Sequence, residues 1–178
     1  MKKRLLLITN GYPYGESERG FLTEEVKVLS EQFELFIMAL ESKDELRYPT
    51  DGIQHIEQYR FSSFRQTRQF RALPSVFQMA SLQEAWAYAK SNDFSNPVGD
   101  LRYILYSRFN VWEMEQQIGK LVQSKKINIV YTYWCTECTV AAVNLKKRFP
   151  GLKVVTRFHG MDLYEERTAE NWQLFRKE

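Results

Sequence analysis

Residues 153–164 read KVVTRFHGMDLY, and this stretch decides the fold of the chain. Its β-branched part, residues 154–156, suits a strand that is buried on both faces. Gly160 then permits a backbone bend that other residues resist. Asp162 can cap a following helix through its side-chain oxygen, with Glu165 three positions later as in a capping box. The stretch therefore predicts a strand, a turn and a helix in succession.

His159 falls at the C-terminal tip of this strand, beside the predicted helix N-terminus. Ligands of open α/β sheets bind at that edge. The plain alternative is a histidine that caps the helix or bonds a backbone carbonyl. We favour the functional interpretation and expect no metal at this site.

Apolar runs elsewhere predict further parallel strands. Residues 5–9, 35–40, 53–59, 127–134 and 152–158 are the strand candidates, and helical periodicity lies between most of them. Residues 20–33, 100–126 and 139–149 are the clearest helices, and the helix that begins at Asp162 is expected to run to the end of the chain. The predicted fold is α/β, a Rossmann-like doubly wound parallel sheet in one domain over residues 1–178, with a helical elaboration at about 61–126.

Composition narrows the class of protein. The chain has 178 residues, a net charge of +3 and 44% hydrophobic residues. This mild charge does not indicate nucleic acid. The apolar run after the basic start is too short for a signal peptide, and no run approaches the ~18 residues of a membrane span. We therefore expect a cytoplasmic protein.

Three segments carry a resemblance to a known family. The segment RFHGMDLY at residues 157–164 resembles the Arg-x-His-Gly-x-Asp-Leu-Tyr signature of family-4-type glycosyltransferases of the GT-B fold. The loop Tyr12-Pro13-Tyr14-Gly15 and the segment Phe21-Leu22-Thr23-Glu24-Glu25 agree with it. The match is to the N-terminal, acceptor-side domain of that family.

The resemblance implies a hexosyltransferase that uses a nucleotide-sugar donor, without cofactor or catalytic metal. The acceptor would be a glycan or a lipid-linked molecule, as in cell-surface polysaccharide synthesis. His159 would be the catalytic residue, orienting the donor sugar, and Glu25 would match an acidic position of the family. The resemblance implies that substrate is bound at Gly11, Tyr12, Tyr14, Gly15, Arg157, Gly160 and Asp162.

Groups that bind the donor belong to the second domain of such enzymes, which these 178 residues do not include. The chain is therefore expected to be inactive alone. An anionic membrane surface is a further candidate partner, which would make the protein peripheral at the inner face of the membrane.

Two other functions stay open. The segment from Arg60 to Arg71 carries four arginines interleaved with phenylalanines. It would suit a non-enzymatic Rossmann-like binding module or an interfacial helix on anionic lipid. Cys135 and Cys138 form a Cys-x-x-Cys motif between a strand and a helix, as in thiol redox proteins, although the adjacent Glu137 opposes thiolate formation.

Overall fold

The computed structural model describes residues 2–15, 18–40, 45–48, 50–59, 79–91 and 97–164. In these ranges the strands are β1 (Arg4–Thr9), β2 (Glu34–Ala39), β3 (Ile53–Gln58), β4 (Ile129–Thr132) and β5 (Lys153–Thr156). The helices are α1 (Arg19–Gln32), α2 (Met79–Ser91), α3 (Pro97–Ser124), α4 (Glu137–Leu145) and α5 (Gly160–Leu163). The five predicted strands and the three clearest predicted helices are all present.

All five strands pair in parallel, in the order β3-β2-β1-β4-β5. The predicted Rossmann-like α/β fold is confirmed. The strand order reverses at β1, since β2 and β3 lie on one side of it and β4 and β5 on the other. In such sheets the crevice outside the carboxyl ends of the strands at this reversal is the binding position.

Helices cover both faces of the sheet. Successive side chains of a strand point to opposite faces. Accordingly, Leu6 and Ile8 of β1 pack in a core cluster with buried residues of α3 and α4. Leu5 and Leu7 pack in a second cluster, together with Leu22 of α1. Each face of the sheet thus buries one apolar cluster, which fixes β1 at the centre of the fold.

The predicted helical elaboration contains α2 and α3. Residues 60–78 and 92–96 of this part lie outside the described ranges. Pro97 is the first residue of α3, a position that suits proline because its missing N–H would have no partner within the helix. Among the helices that the structure describes, none is long and apolar enough to cross a membrane.

The last two strands in the chain, β4 and β5, are shorter than predicted. β4 ends at Thr132, where the prediction extends to residue 134, and β5 ends at Thr156, where the prediction extends to residue 158. The Thr132 carbonyl still accepts the N–H of Arg157 at 3.0 Å. The N–H of Tyr133 likewise donates to the Ile8 carbonyl of β1 at 2.9 Å. After Tyr133 and Arg157 the chain forms the loops of the carboxyl edge, although Trp134 and Phe158 had suggested strand.

The structure after β5 corrects three predictions. The helix expected to run from Asp162 to the end of the chain ends at Leu163, because Tyr164 has an extended backbone. The N-cap of α5 is His159, and Asp162 is the third helical residue instead of the cap. An aspartate suits either position, because from both it reaches a backbone N–H that lacks a helical partner. Gly160 is the first residue of this helix. The predicted special bend is absent there, since Gly52 is the glycine with positive φ among the described residues.

Candidate functional site

Three loops meet at the carboxyl edge of the sheet. They follow β1, β4 and β5, and they comprise residues 10–15, 133–136 and 157–159. Because parallel strands all end at the same edge, side chains distant in sequence become neighbours there. Hydrogen bonds of Glu18 and Asp162 to the loop after β4 join these loops into one assembly.

Glu18, the N-cap of α1, holds two of the loops together. Its side chain is 1% exposed. One carboxylate oxygen accepts the backbone N–H of Gly11 at 2.8 Å and of Tyr12 at 2.9 Å. The other oxygen accepts the N–H of Asn10 at 3.0 Å and the indole Nε1–H of Trp134 at 2.7 Å. Four donors thus satisfy a buried carboxylate, as burial of a charge requires.

The loop after β1 is a tight turn. The Gly11 carbonyl accepts the N–H groups of Tyr14 and Gly15, both at 2.7 Å. A Cβ on Gly15 would lie 3.4 Å from the Gly11 Cα, so the two glycines pack directly on each other. Tyr12 and Tyr14 are 1% and 7% exposed. The loop therefore directs these two predicted side chains into the protein.

Burial of Tyr12 has a clear packing reason. Its ring stacks on Tyr48 with 5.8 Å between centroids and 4° between planes. Burial, followed by the neighbouring Tyr48, raises the pKa of the Tyr12 phenol. Tyr12 is thus a neutral core residue of the α1 side of the sheet.

His159 packs against two aromatic rings from the loop after β4. Its ring centroid lies 4.0 Å from that of Trp134 and 4.9 Å from that of Tyr133. Its Nε2 lies 3.0 Å from the Tyr133 carbonyl oxygen. Since a carbonyl can only accept, Nε2 must carry the hydrogen of this bond. His159 therefore bonds a backbone carbonyl, which is the structural role that the sequence offered as the alternative to ligand binding. It does so at the edge of the sheet where a ligand would bind.

Asp162 connects the turn after β5 to the loop after β4. It is 7% exposed. One carboxylate oxygen accepts the backbone N–H of Cys135 at 2.7 Å, and the other accepts the backbone N–H of His159. The carboxylate therefore fixes the backbone on both sides of the His159–Trp134 contact.

Arg157 is tied to α1. Its guanidinium donates to Glu25 at 2.7 Å and lies 5.2 Å from the centroid of the Tyr133 ring. The other carboxylate oxygen of Glu25 accepts the Tyr131 hydroxyl at 2.8 Å. Burial, and then the hydrogen bond to Glu25, raise the pKa of Tyr131 to about 12. Glu25 thus bridges β4 and the loop after β5, and the guanidinium of Arg157 remains partly open to solvent.

The Cys-x-x-Cys motif holds two free thiols. Cys138, in the first turn of α4, is 1% exposed, and its sulfur lies 3.7 Å from the Trp134 carbonyl oxygen. Burial raises the pKa of Cys138 to about 11, and the charge of Glu137 contributes in the same direction. Cys138 is therefore protonated at neutral pH. Its sulfur helps to hold the same loop that carries Trp134.

Tyr133 carries a buried hydroxyl that has no hydrogen-bond partner in the described part of the chain. The residue is 0% exposed and packs with Leu5, Leu7 and Leu22. Burial raises the pKa of its phenol, so the hydroxyl stays neutral. A desolvated hydroxyl without a partner costs about 1–3 kcal/mol of stability.

Replacing Tyr133 with phenylalanine is therefore expected to leave the free energy of unfolding unchanged or to raise it by about 1 kcal/mol. Tyr131→Phe is the matched control, because it removes a hydroxyl that donates to Glu25. That change should lower the free energy of unfolding by about 1 kcal/mol. Urea denaturation of both variants measures the difference. A larger loss for Tyr133→Phe than for Tyr131→Phe would contradict this description of the two hydroxyls.

The structure brings most of the predicted site residues to one edge. Gly11 and Gly15 lie in the loop after β1. Arg157 and His159 lie in the loop after β5, and Gly160 and Asp162 lie in the helix α5 that follows it. Sequence reasoning missed Glu18 and Trp134. For Glu18 the available signal was its position just before an amphipathic helix, where a side chain can accept backbone N–H groups. The segment from Arg60 to Arg71 lies outside the described residues.

Comparison with known proteins assigns no family. No protein-family model matches the chain, and the search of curated proteins finds no match.

Proposed function

We propose that this chain is the acceptor-side half of a GT-B glycosyltransferase. It would transfer a sugar from a nucleotide-sugar to a glycan or lipid-linked acceptor, as in the synthesis of cell-surface polysaccharide. The observation that carries the proposal is the meeting of the three resembling segments at one edge. They begin at residues 12, 21 and 157 of the sequence, and the contact of Glu25 with Arg157 joins two of them at 2.7 Å.

The Rossmann-like fold is consistent with this proposed function. A GT-B enzyme uses two Rossmann-like domains that face each other across a cleft. The edge that carries His159 is where a Rossmann-like sheet binds its ligands. Fixed backbone and aromatic groups at such an edge can orient a substrate without reorganising during the reaction.

His159 is the residue for which we propose a role in transfer. Its Nε2–H is engaged with the Tyr133 carbonyl at 3.0 Å. A sugar hydroxyl that approaches this ring would take over that hydrogen bond and would be oriented by it. Glu18 and Asp162 hold the surrounding loops from behind, so we propose positioning roles for them and no contact with the substrate.

The proposed reaction breaks the bond between the anomeric carbon and the diphosphate and forms a bond to an acceptor oxygen. The nucleoside diphosphate leaves with the bonding electron pair, and its departing phosphate oxygen takes the proton that the acceptor hydroxyl loses. Enzymes of the family that the chain resembles usually retain the anomeric configuration. Stabilisation of the leaving diphosphate would come from basic groups and a helix N-terminus of the donor domain.

The isolated chain provides the first test. When it is incubated with a panel of radiolabelled nucleotide-sugars and a cell lipid extract, we expect no transfer and no hydrolysis of the donor. An enzyme of this kind needs both domains to close the cleft and exclude water. Turnover by these 178 residues alone, retained through purification and lost in His159→Ala, would contradict the proposed division into two halves.

A further inference from the structure

The outward face of α2 exposes two large apolar side chains, together with the polar Gln83 and Lys90. Leu82 is 54% exposed and Trp86 is 66% exposed. Their spacing of four residues places them on the same face of the helix. Lys90 follows one turn later, with its Nζ 5.0 Å from the centroid of the Trp86 ring. A surface helix normally presents polar groups on its outer face, so this arrangement requires an explanation.

The first turns of α3 have a similar exterior. Val98 is 78% exposed and Leu101 is 45% exposed, and Arg102 beside them is exposed as well. The Tyr88 hydroxyl of α2 donates to Asp100 of α3 at 3.4 Å, so the two helices are in direct contact. Exposed apolar residues therefore occur on both of these neighbouring helices.

Charge on the two helices is distributed unevenly. All of their acids are half-buried, namely Glu84, Asp100, Glu113 and Glu115. Their exposed charged side chains are all cationic: Lys90, Arg102 and Lys120. The outward surface thus combines aliphatic groups, a tryptophan and positive charge. This combination is the one that interfacial helices use on membranes containing anionic lipid.

We propose that the outward face of α2, defined by Leu82, Trp86 and Lys90, binds an anionic lipid surface, assisted by the exposed start of α3. The apolar side chains would enter the boundary between headgroups and acyl chains, and the cations would pair with lipid phosphates. A second copy of this chain fits less well, because a symmetric contact would place this cationic surface against the same cationic surface of the other copy.

This inference extends the proposed function, since a lipid-linked acceptor lies at a membrane. It does not depend on transfer activity. The binding experiment requires neither donor nor acceptor. Its result can therefore contradict lipid binding by α2 without contradicting the proposed transferase function, and the reverse also holds.

Vesicle sedimentation tests the proposal with the whole 178-residue chain. We expect binding to phosphatidylcholine vesicles that contain about one-third phosphatidylglycerol, and little binding to phosphatidylcholine alone. Added salt should weaken the binding because it screens the exposed cations. The double substitution L82Q/W86Q should lower the partition constant by about tenfold or more. K90Q should lower it about threefold, and only on the anionic vesicles.

Matched controls come from α1, which covers a face of the sheet. Val28 is 58% exposed, and Lys27 is an exposed cation of the same helix. V28Q and K27Q should bind vesicles as the unchanged chain does. Circular dichroism of all four variants confirms that each is folded.

Three results would overturn the proposal. One is the absence of binding to the anionic vesicles. Another is equal binding by L82Q/W86Q and the unchanged chain. The third is self-association in solution that L82Q/W86Q abolishes while vesicle binding persists, which would assign this face to contacts between copies of the chain.

Discussion

Replacing Glu18 with alanine is expected to lower the free energy of unfolding by about 3–6 kcal/mol. The side chain is 1% exposed and accepts four N–H groups, three from the backbone of the first loop and one from Trp134. Alanine would leave these donors without an acceptor inside the protein. The loop after β1 and the loop after β4 would then lose their common anchor.

Urea denaturation of Glu18→Ala and Glu18→Gln measures this loss. Glutamine keeps the shape but offers one acceptor oxygen, so an intermediate loss is expected. Glu24→Ala is the control, because Glu24 is an exposed glutamate of the same helix. It should change the free energy of unfolding by less than about 0.5 kcal/mol. If Glu18→Ala were as stable as Glu24→Ala, the carboxylate would not be the anchor of the two loops.

Replacing His159 with alanine is expected to lower transfer by about a hundredfold or more in a protein that joins this chain to its donor domain. The proposed role is to orient the donor sugar, so the loss should appear in kcat more than in KM. Stability should fall by only about 1–3 kcal/mol, since the ring is half-buried against Trp134 and Tyr133.

His55→Ala is the matched control for that experiment. His55 is the other histidine of the chain and lies in β3, where its Nε2 contacts Glu57 at 2.9 Å. Its loss should leave the rate of transfer unchanged. A His159→Ala protein that is folded and keeps the full rate would show that His159 serves only as a structural cap and aromatic neighbour.

The sheet could be predicted because parallel strands buried on both faces have a local signature. Residues 5–9 and 35–40 are continuous apolar runs, and the structure places β1 and β2 there. The helices were likewise marked by their apolar stripes. The end of α4 was predicted less well, because the helix ends at Leu145 and the prediction extended to residue 149. The ends of β4 and β5 were harder to predict, because Trp134 and Phe158 suit a strand as well as an aromatic loop.

The contacts of the site could not be predicted in the same way. Glu18 and Trp134 are 116 residues apart, and nothing in either local sequence indicates their hydrogen bond. Asp162 suits two cap positions equally well, and its contact with the N–H of Cys135 depends on the neighbouring loop. Tyr12 and Tyr14 were expected at the substrate, yet their burial depends on how the tight turn around Gly11 directs them.

The most direct test of the proposed function is a transfer assay on the product of the complete reading frame that encodes these residues. The protein would be incubated with radiolabelled nucleotide-sugars and a lipid extract from its own cells, and the lipid and polysaccharide fractions would be counted. We predict that one donor supports transfer by this protein and that no donor supports transfer by the 178-residue chain alone. Absence of transfer from every donor, with a folded protein and a glycosyltransferase of known activity working in the same extract, would contradict the account.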